Sequence, residues 1–123
     1  MTDDGGPNVG TVEQYSDYLA EHPLKEYQLK MLRENALGWR SSAELAMAAG
    51  WRSHRAANLH YGKFAKEVGR GLGLTLVRYD KDGTEFFTSA IALERPGTKA
   101  GSWEYKLHPA FLQALRQLGI VPE

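Results

Sequence analysis

The tetrapeptide Gly-Trp-Arg-Ser is written twice, at 38–41 and again at 50–53, and the run between the copies is SAELAMAA. Glu44 falls three residues after Ser41. At that spacing a serine and a glutamate side chain cap each other's backbone amides and open a helix. The alanines, leucine and methionine that follow favour helix. Gly50 accepts the left-handed backbone that closes a helix, because it has no Cβ to clash, and Ser53 is placed to cap the next one. Each copy is therefore punctuation: glycine stops, tryptophan packs the corner, arginine faces out, serine restarts. The copies bracket a short helix over 42–49, a tight turn and a longer helix, which together make the core of a helix-turn-helix.

On the N-terminal side, Thr11 and Gln14 form another capping box, which predicts a helix over about 12–21. His22-Pro23 breaks it, and Pro23 suits the first turn of a second helix over about 24–37, with Gly38 as its left-handed cap. In the long helix, 54–72, Ala57, Tyr61, Phe64, Ala65, Val68 and Leu72 recur at the spacing of a buried stripe. Gly62 and Gly69 inside it predict close approach of a neighbouring helix. From residue 74 the period becomes that of strands: 74–79, a turn at 80–83, 84–94, a loop at 95–102 and 103–107. Pro109 opens a last amphipathic helix that Gly119 closes. The expected fold is α+β and winged helix-turn-helix-like, with helices first, then a small antiparallel sheet and a C-terminal helix. Residues 1–10 read as a disordered leader and 11–123 as one domain, in keeping with the length of 123 residues.

Formal net charge is zero, but the charge is segregated. Residues 1–27 carry a net −5 and residues 39–79 a net +5. Asymmetry of this kind points to a polyanionic partner for the basic half. In a winged helix-turn-helix the second helix of the turn enters the DNA major groove, and its first residues meet base edges. Here those residues are Ser53, His54, Arg55 and Asn58. Arginine can pair two donors with guanine, and asparagine can pair bidentately with adenine. Lys63, Lys66 and Arg70 lie farther along and suit phosphate, and Arg40 and Arg52 from the two tetrapeptides join them. The basic loop 94–102, with Arg95 and Lys99, is the expected wing. Double-stranded DNA is thus the expected partner. The alternative is a protein-interaction module, a dimerisation or adaptor domain without nucleic-acid binding, in which the acidic first helix meets a basic face. Trp39, Trp51 and Trp103 are expected in the core between helices and sheet.

Other chemistries find little footing. With no cysteine, a disulfide framework and a cysteine zinc site are excluded. His54 and His60 stand six apart, on different helix faces, unlike a shared ligand pair at i and i+4. His22 and His108 precede prolines at helix starts, where local capping accounts for them. Asp80 and Asp82 in DKDG are what a tight turn needs. The chain is read as a cytoplasmic non-enzyme without cofactor or metal, and it has no apolar run long enough to span a bilayer.

The stretches SAELAMAAGW, AANLHYGKFAKEVGRGLG and WEYKLHPAFLQALRQLG resemble a helical module of bacterial restriction-type proteins, some of which carry HNH nuclease domains. The resemblance implies a DNA-associated accessory domain in a restriction, phage-defence or regulatory system. No residues here match an HNH site, so nuclease activity is not implied.

Overall fold

The computed structural model describes residues 9–76, 86–98 and 102–122. The architecture is mixed α+β: α1 (Val12–Glu21), α2 (Glu26–Asn35), β1 (Arg40–Ser41), α3 (Ser42–Ala49), α4 (His54–Leu72), a 3-10 turn (Phe87–Ala90), β2 (Ala92–Pro96), β3 (Trp103–Leu107) and α5 (Pro109–Gln117). The strands form one small open antiparallel sheet in the order β1-β3-β2. Arg40 pairs with Tyr105, and Ala92 through Pro96 run opposite Leu107 through Trp103. Among the described residues no helix is long and apolar enough to cross a membrane.

The helix boundaries follow from their caps. Thr11 and Gln14 cap α1 reciprocally, and Ser41 and Glu44 do the same for α3. Gly50 closes α3 at φ +83° and Gly73 closes α4 at φ +69°. α2 is shorter than the apolar spacing suggested, because Lys25 is its N-cap and the chain leaves the helix at Ala36. Gly38 has φ +139°, outside the left-handed helical well expected for it.

Two strand expectations are corrected. Residues 74–76 are not a strand: Leu74 N–H returns to the Gly69 carbonyl at 2.8 Å, and Leu76 is buried against the helix it has just left. The remainder of that expected strand, the DKDG turn and the start of the next strand lie outside the described residues. Within the expected strand 84–94, Phe87–Ala90 is a 3-10 turn and pairing begins only at Ala92. Thr88, Ser89, Ala90, Ile91 and Ala92 are all buried in succession. A strand with one wet face cannot do that, whereas a turn wedged under α4 can. Gly10, expected in a disordered leader, is buried, with its N–H on the Tyr15 hydroxyl at 3.0 Å.

The core joins the expected stripe of α4 to Leu32 of α2, Leu45 of α3, Ile91 and the α5 residues Phe111, Ala114 and Leu115. α1 adds Tyr15, whose ring meets Phe111 edge-on at 4.9 Å and whose hydroxyl donates to the Ala90 carbonyl at 2.6 Å. His108 is buried at the start of α5, and its Nε2 lies 2.7 Å from the Ser89 carbonyl. It makes no side-chain cap bond to α5, contrary to the capping role read from sequence. Burial pulls its pKa below the ordinary histidine value, against the smaller opposing effect of the Ser89 carbonyl.

The two glycines inside α4 prove unlike. A Cβ on Gly69 would come within 3.0 Å of Leu76 and 3.1 Å of the Ala90 Cβ, so this glycine lets the 3-10 turn and the return loop close on the helix. A Cβ on Gly62 would meet nothing nearer than Thr88 Oγ1 at 4.0 Å. Gly62→Ala should therefore raise the denaturation midpoint, by up to about 1 kcal/mol of helix propensity. Gly69→Ala should lower it, because overpacking of about 1–3 kcal/mol outweighs that gain. Chemical denaturation of the two variants checks both signs. The neutral His108 adds a pH prediction. Its contribution is fully present above the unfolded-state pKa of about 6.5 and is lost as pH falls below it, because the unfolded chain then binds the proton more readily. Urea midpoints between pH 7 and pH 5 should fall less steeply for His108→Gln than for the wild type.

Candidate functional site

Helix α4 has one face held by the core and one left to solvent. The turn before it is rigid: Gly50 and Trp51 bond back to the last turn of α3, and Ser53 Oγ accepts the Arg55 N–H at 3.2 Å. Four residues into the helix, the Asn58 side-chain oxygen Oδ1 accepts the Ser42 hydroxyl at 2.6 Å and the Tyr105 hydroxyl at 2.9 Å. One turn farther on, Tyr61 donates to the Asn35 oxygen at 2.6 Å. Asn35 is 1% exposed, and its Nδ2 donates to the Tyr105 carbonyl at 2.8 Å and the Gly38 carbonyl at 3.1 Å. Burial pushes the Tyr61 phenol well above its ordinary value, and nearby Tyr105 adds to the shift, so Tyr61 remains a donor. α4 is thereby tied to α2, α3 and β3 through polar bonds as well as through its apolar stripe.

On the solvent side, Arg52, Ser53, His54, Arg55, Lys63 and Arg70 are exposed, as expected. Among the described residues Arg52, Arg55, Lys63 and Arg70 enter no ion pair. At 100° per residue, Arg55, Leu59, Lys63, Lys66 and Arg70 fall within one outward sector. Lys66 is half-buried, its ammonium 4.7 Å from the Phe87 ring centroid. Leu59, in the same sector, is 70% exposed.

The remaining candidates are held differently. Arg40, expected to face out, is half-buried, with Nε 2.6 Å from Glu34 and Nη1 donating to the Trp39 carbonyl. Arg95 stands opposite Glu104 on β3, pairs with it at 2.7 Å and lies over the Trp39 ring at 4.1 Å. Asn58 has its amide oxygen engaged by two hydroxyls, and a bidentate contact to adenine would need that atom. Lys99 lies outside the described residues. No tryptophan is fully buried; Trp51 packs against the core, as expected in part, whereas Trp39 and Trp103 do not join it. Trp39 carries Arg95, Trp51 sits half-buried beside Tyr27 and His60, and Trp103 is 37% exposed. His60 packs against Tyr27 and Trp51.

Trp103 lines a cleft of about 580 Å³ with the first turn of α3, His54, Asn58 and Glu104. A second cleft of about 320 Å³ lies on the other flank of α4, between His60, Lys63 and Glu67 and the linker after α1. Sequence reasoning missed the first cleft, which is closed by β1 and β3 from opposite halves of the chain. Of Asn58 and Leu59, which the sequence allows equally on the outward face beside Arg55, it is Leu59 that stands in water, while Asn58 is half-buried.

Replacing Asn35 by alanine should cost at least about 3 kcal/mol, because the Tyr61 hydroxyl and the two carbonyls lose their partner in a buried site. Tyr61→Phe strands only the Asn35 oxygen and should cost about 1–3 kcal/mol. Urea unfolding measures both, and equal losses would show that the amide is not the shared element.

The chain matches no family model, and neither the curated proteins nor the solved structures give a match.

Proposed function

We propose that this chain is a DNA-binding module of the winged helix-turn-helix type. In this reading α3 and α4 are the helix pair, α4 enters the major groove and the β2–β3 hairpin is the wing. The order of elements supports it: a helix, a short strand, two helices across a tight turn, then a hairpin whose inner strand pairs with the short one. The observation that carries the reading is the outward sector of α4, where exposed cations extend from the first turn to the last while the opposite side is pinned to the core.

The roles follow from position. Arg55, in the first turn, presents a guanidinium with two parallel donors to a guanine edge. Ser53, His54 and Arg52 stand around the helix N-terminus, where free amides and the helix dipole favour phosphate. Lys63 and Arg70 neutralise phosphates along the backbone, and Lys66 does so from its seat over Phe87. Arg40 and Arg95 act on placement, holding the α2–β1 corner and the wing. Asn58 orients α4 against α3 and β3. The likeness to restriction-type accessory modules fits the same reading and points to a defence or regulatory setting.

Titration into a labelled mixed-sequence duplex, at low and then near-physiological salt, tests the proposal. Binding should weaken steeply with salt, as counterion release requires. Lys63→Ala should weaken binding to all sequences alike and shallow the logarithmic salt slope by about 1. Arg55→Ala should cost about 1–3 kcal/mol and relax preference at one base position. Absence of binding at low salt would sink the proposal and favour a protein-docking module, for which loss of Trp39 or Trp51 is the next test.

A further inference from the structure

The outward sector of α4 is not uniformly charged. Leu59 sits in it, 70% exposed, with Arg55 one turn before and Lys63 one turn after, each about 6 Å along the axis. Nothing in the fold asks for a leucine there, since its neighbours in the core stripe are Ala57 and Tyr61 and its own side chain is in water. Leu59 is one apolar side chain set among cations on an otherwise polar helix face.

We propose that Leu59 is a methyl-reading residue: with α4 in the major groove, its side chain packs on the 5-methyl group of a pyrimidine. This rests on the DNA-binding reading above. The flanking cations select the occupant, because they draw the helix onto a polyanion, and the apolar group that the major groove offers is the pyrimidine methyl. Thymine and 5-methylcytosine carry the same group at the same place, so either can supply it.

The test begins with selection from a random 20-base-pair duplex pool by the wild-type chain at low salt. The tightest-binding sequence is then remade with uracil for thymine at one position at a time, and in a second series with 5-methylcytosine for cytosine. Uracil keeps the hydrogen-bonding edge of thymine and lacks only the methyl. The expected result is one position where losing a methyl weakens binding, or adding one strengthens it, by about fourfold, the worth of one buried methyl group. The first series responds if thymine is the source and the second if 5-methylcytosine is. In Leu59→Ala that sensitivity should vanish while salt dependence stays as in the wild type. An enriched sequence with no methyl-sensitive position, or a sensitivity that survives in Leu59→Ala, overturns this inference and leaves DNA binding standing. A pool from which nothing binds overturns both.

Discussion

The buried amide of Asn35 sits where α2, the Gly38 turn, β3 and α4 meet, and it uses three of its bonding positions there. Its nitrogen donates to the carbonyls of Gly38 and Tyr105, and its oxygen takes the Tyr61 hydroxyl. Only a neutral amide offers two donors and an acceptor in that small a volume. An aspartate would set a carboxylate against two carbonyls, and a leucine would leave three polar groups stranded. The hydroxyl of Tyr105 carries the chain of bonds on to Asn58 and Ser42, so the network reaches the start of α3. In a low-dielectric interior such a network is strong when complete and costly when broken. It sets the rotation of α4 against the sheet, and so decides which side chains of that helix meet the core and which meet water.

What could be read in the sequence was local. Thr11 with Gln14 and Ser41 with Glu44 cap helices within a single turn, so the signal and its partner lie three residues apart. The buried stripe of α4 was legible for the same reason, because its period is written along one helix. β1 was not, since Arg40 and Ser41 become a strand only through Tyr105 and Glu104, more than sixty residues away. The segment after Phe86 looked like a strand because it is rich in β-branched and aromatic residues. Its continuous burial is set by the space Gly69 leaves beneath α4, which no local pattern records. Asn35 was passed over because a polar residue at the end of a helix reads as an ordinary surface position.

Charge was legible in sign but not in state. Sequence counts Arg40 and Arg95 with the rest, yet each is engaged by a carboxylate, and Arg95 also lies on the Trp39 ring. Together Arg40, Glu34, Trp39, Arg95 and Glu104 fasten the corner before α3 to the hairpin. Among the described residues of the basic segment, the cations left in water are Arg52, Arg55, Lys63 and Arg70, on α4 and the turn that leads into it. A surface field is set by such a residue's neighbours as much as by its own charge. The exposed part of the basic segment is therefore narrower and better oriented than the sequence alone conveyed.

The Tyr15 hydroxyl bonds to the carbonyl of Ala90, seventy-five residues downstream, while its ring rests on Phe111 of α5. α1 leaves the ribosome well before the surfaces that receive its one large buried ring, which lie seventy-five residues or more downstream. Until they emerge, α1 is an amphipathic helix without its seat, while α2, α3 and α4 can already associate through neighbours close in sequence. The contacts that seat α1 thus close some of the longest loops in the fold, and loop-closure entropy makes them costlier to form than those between neighbours in sequence.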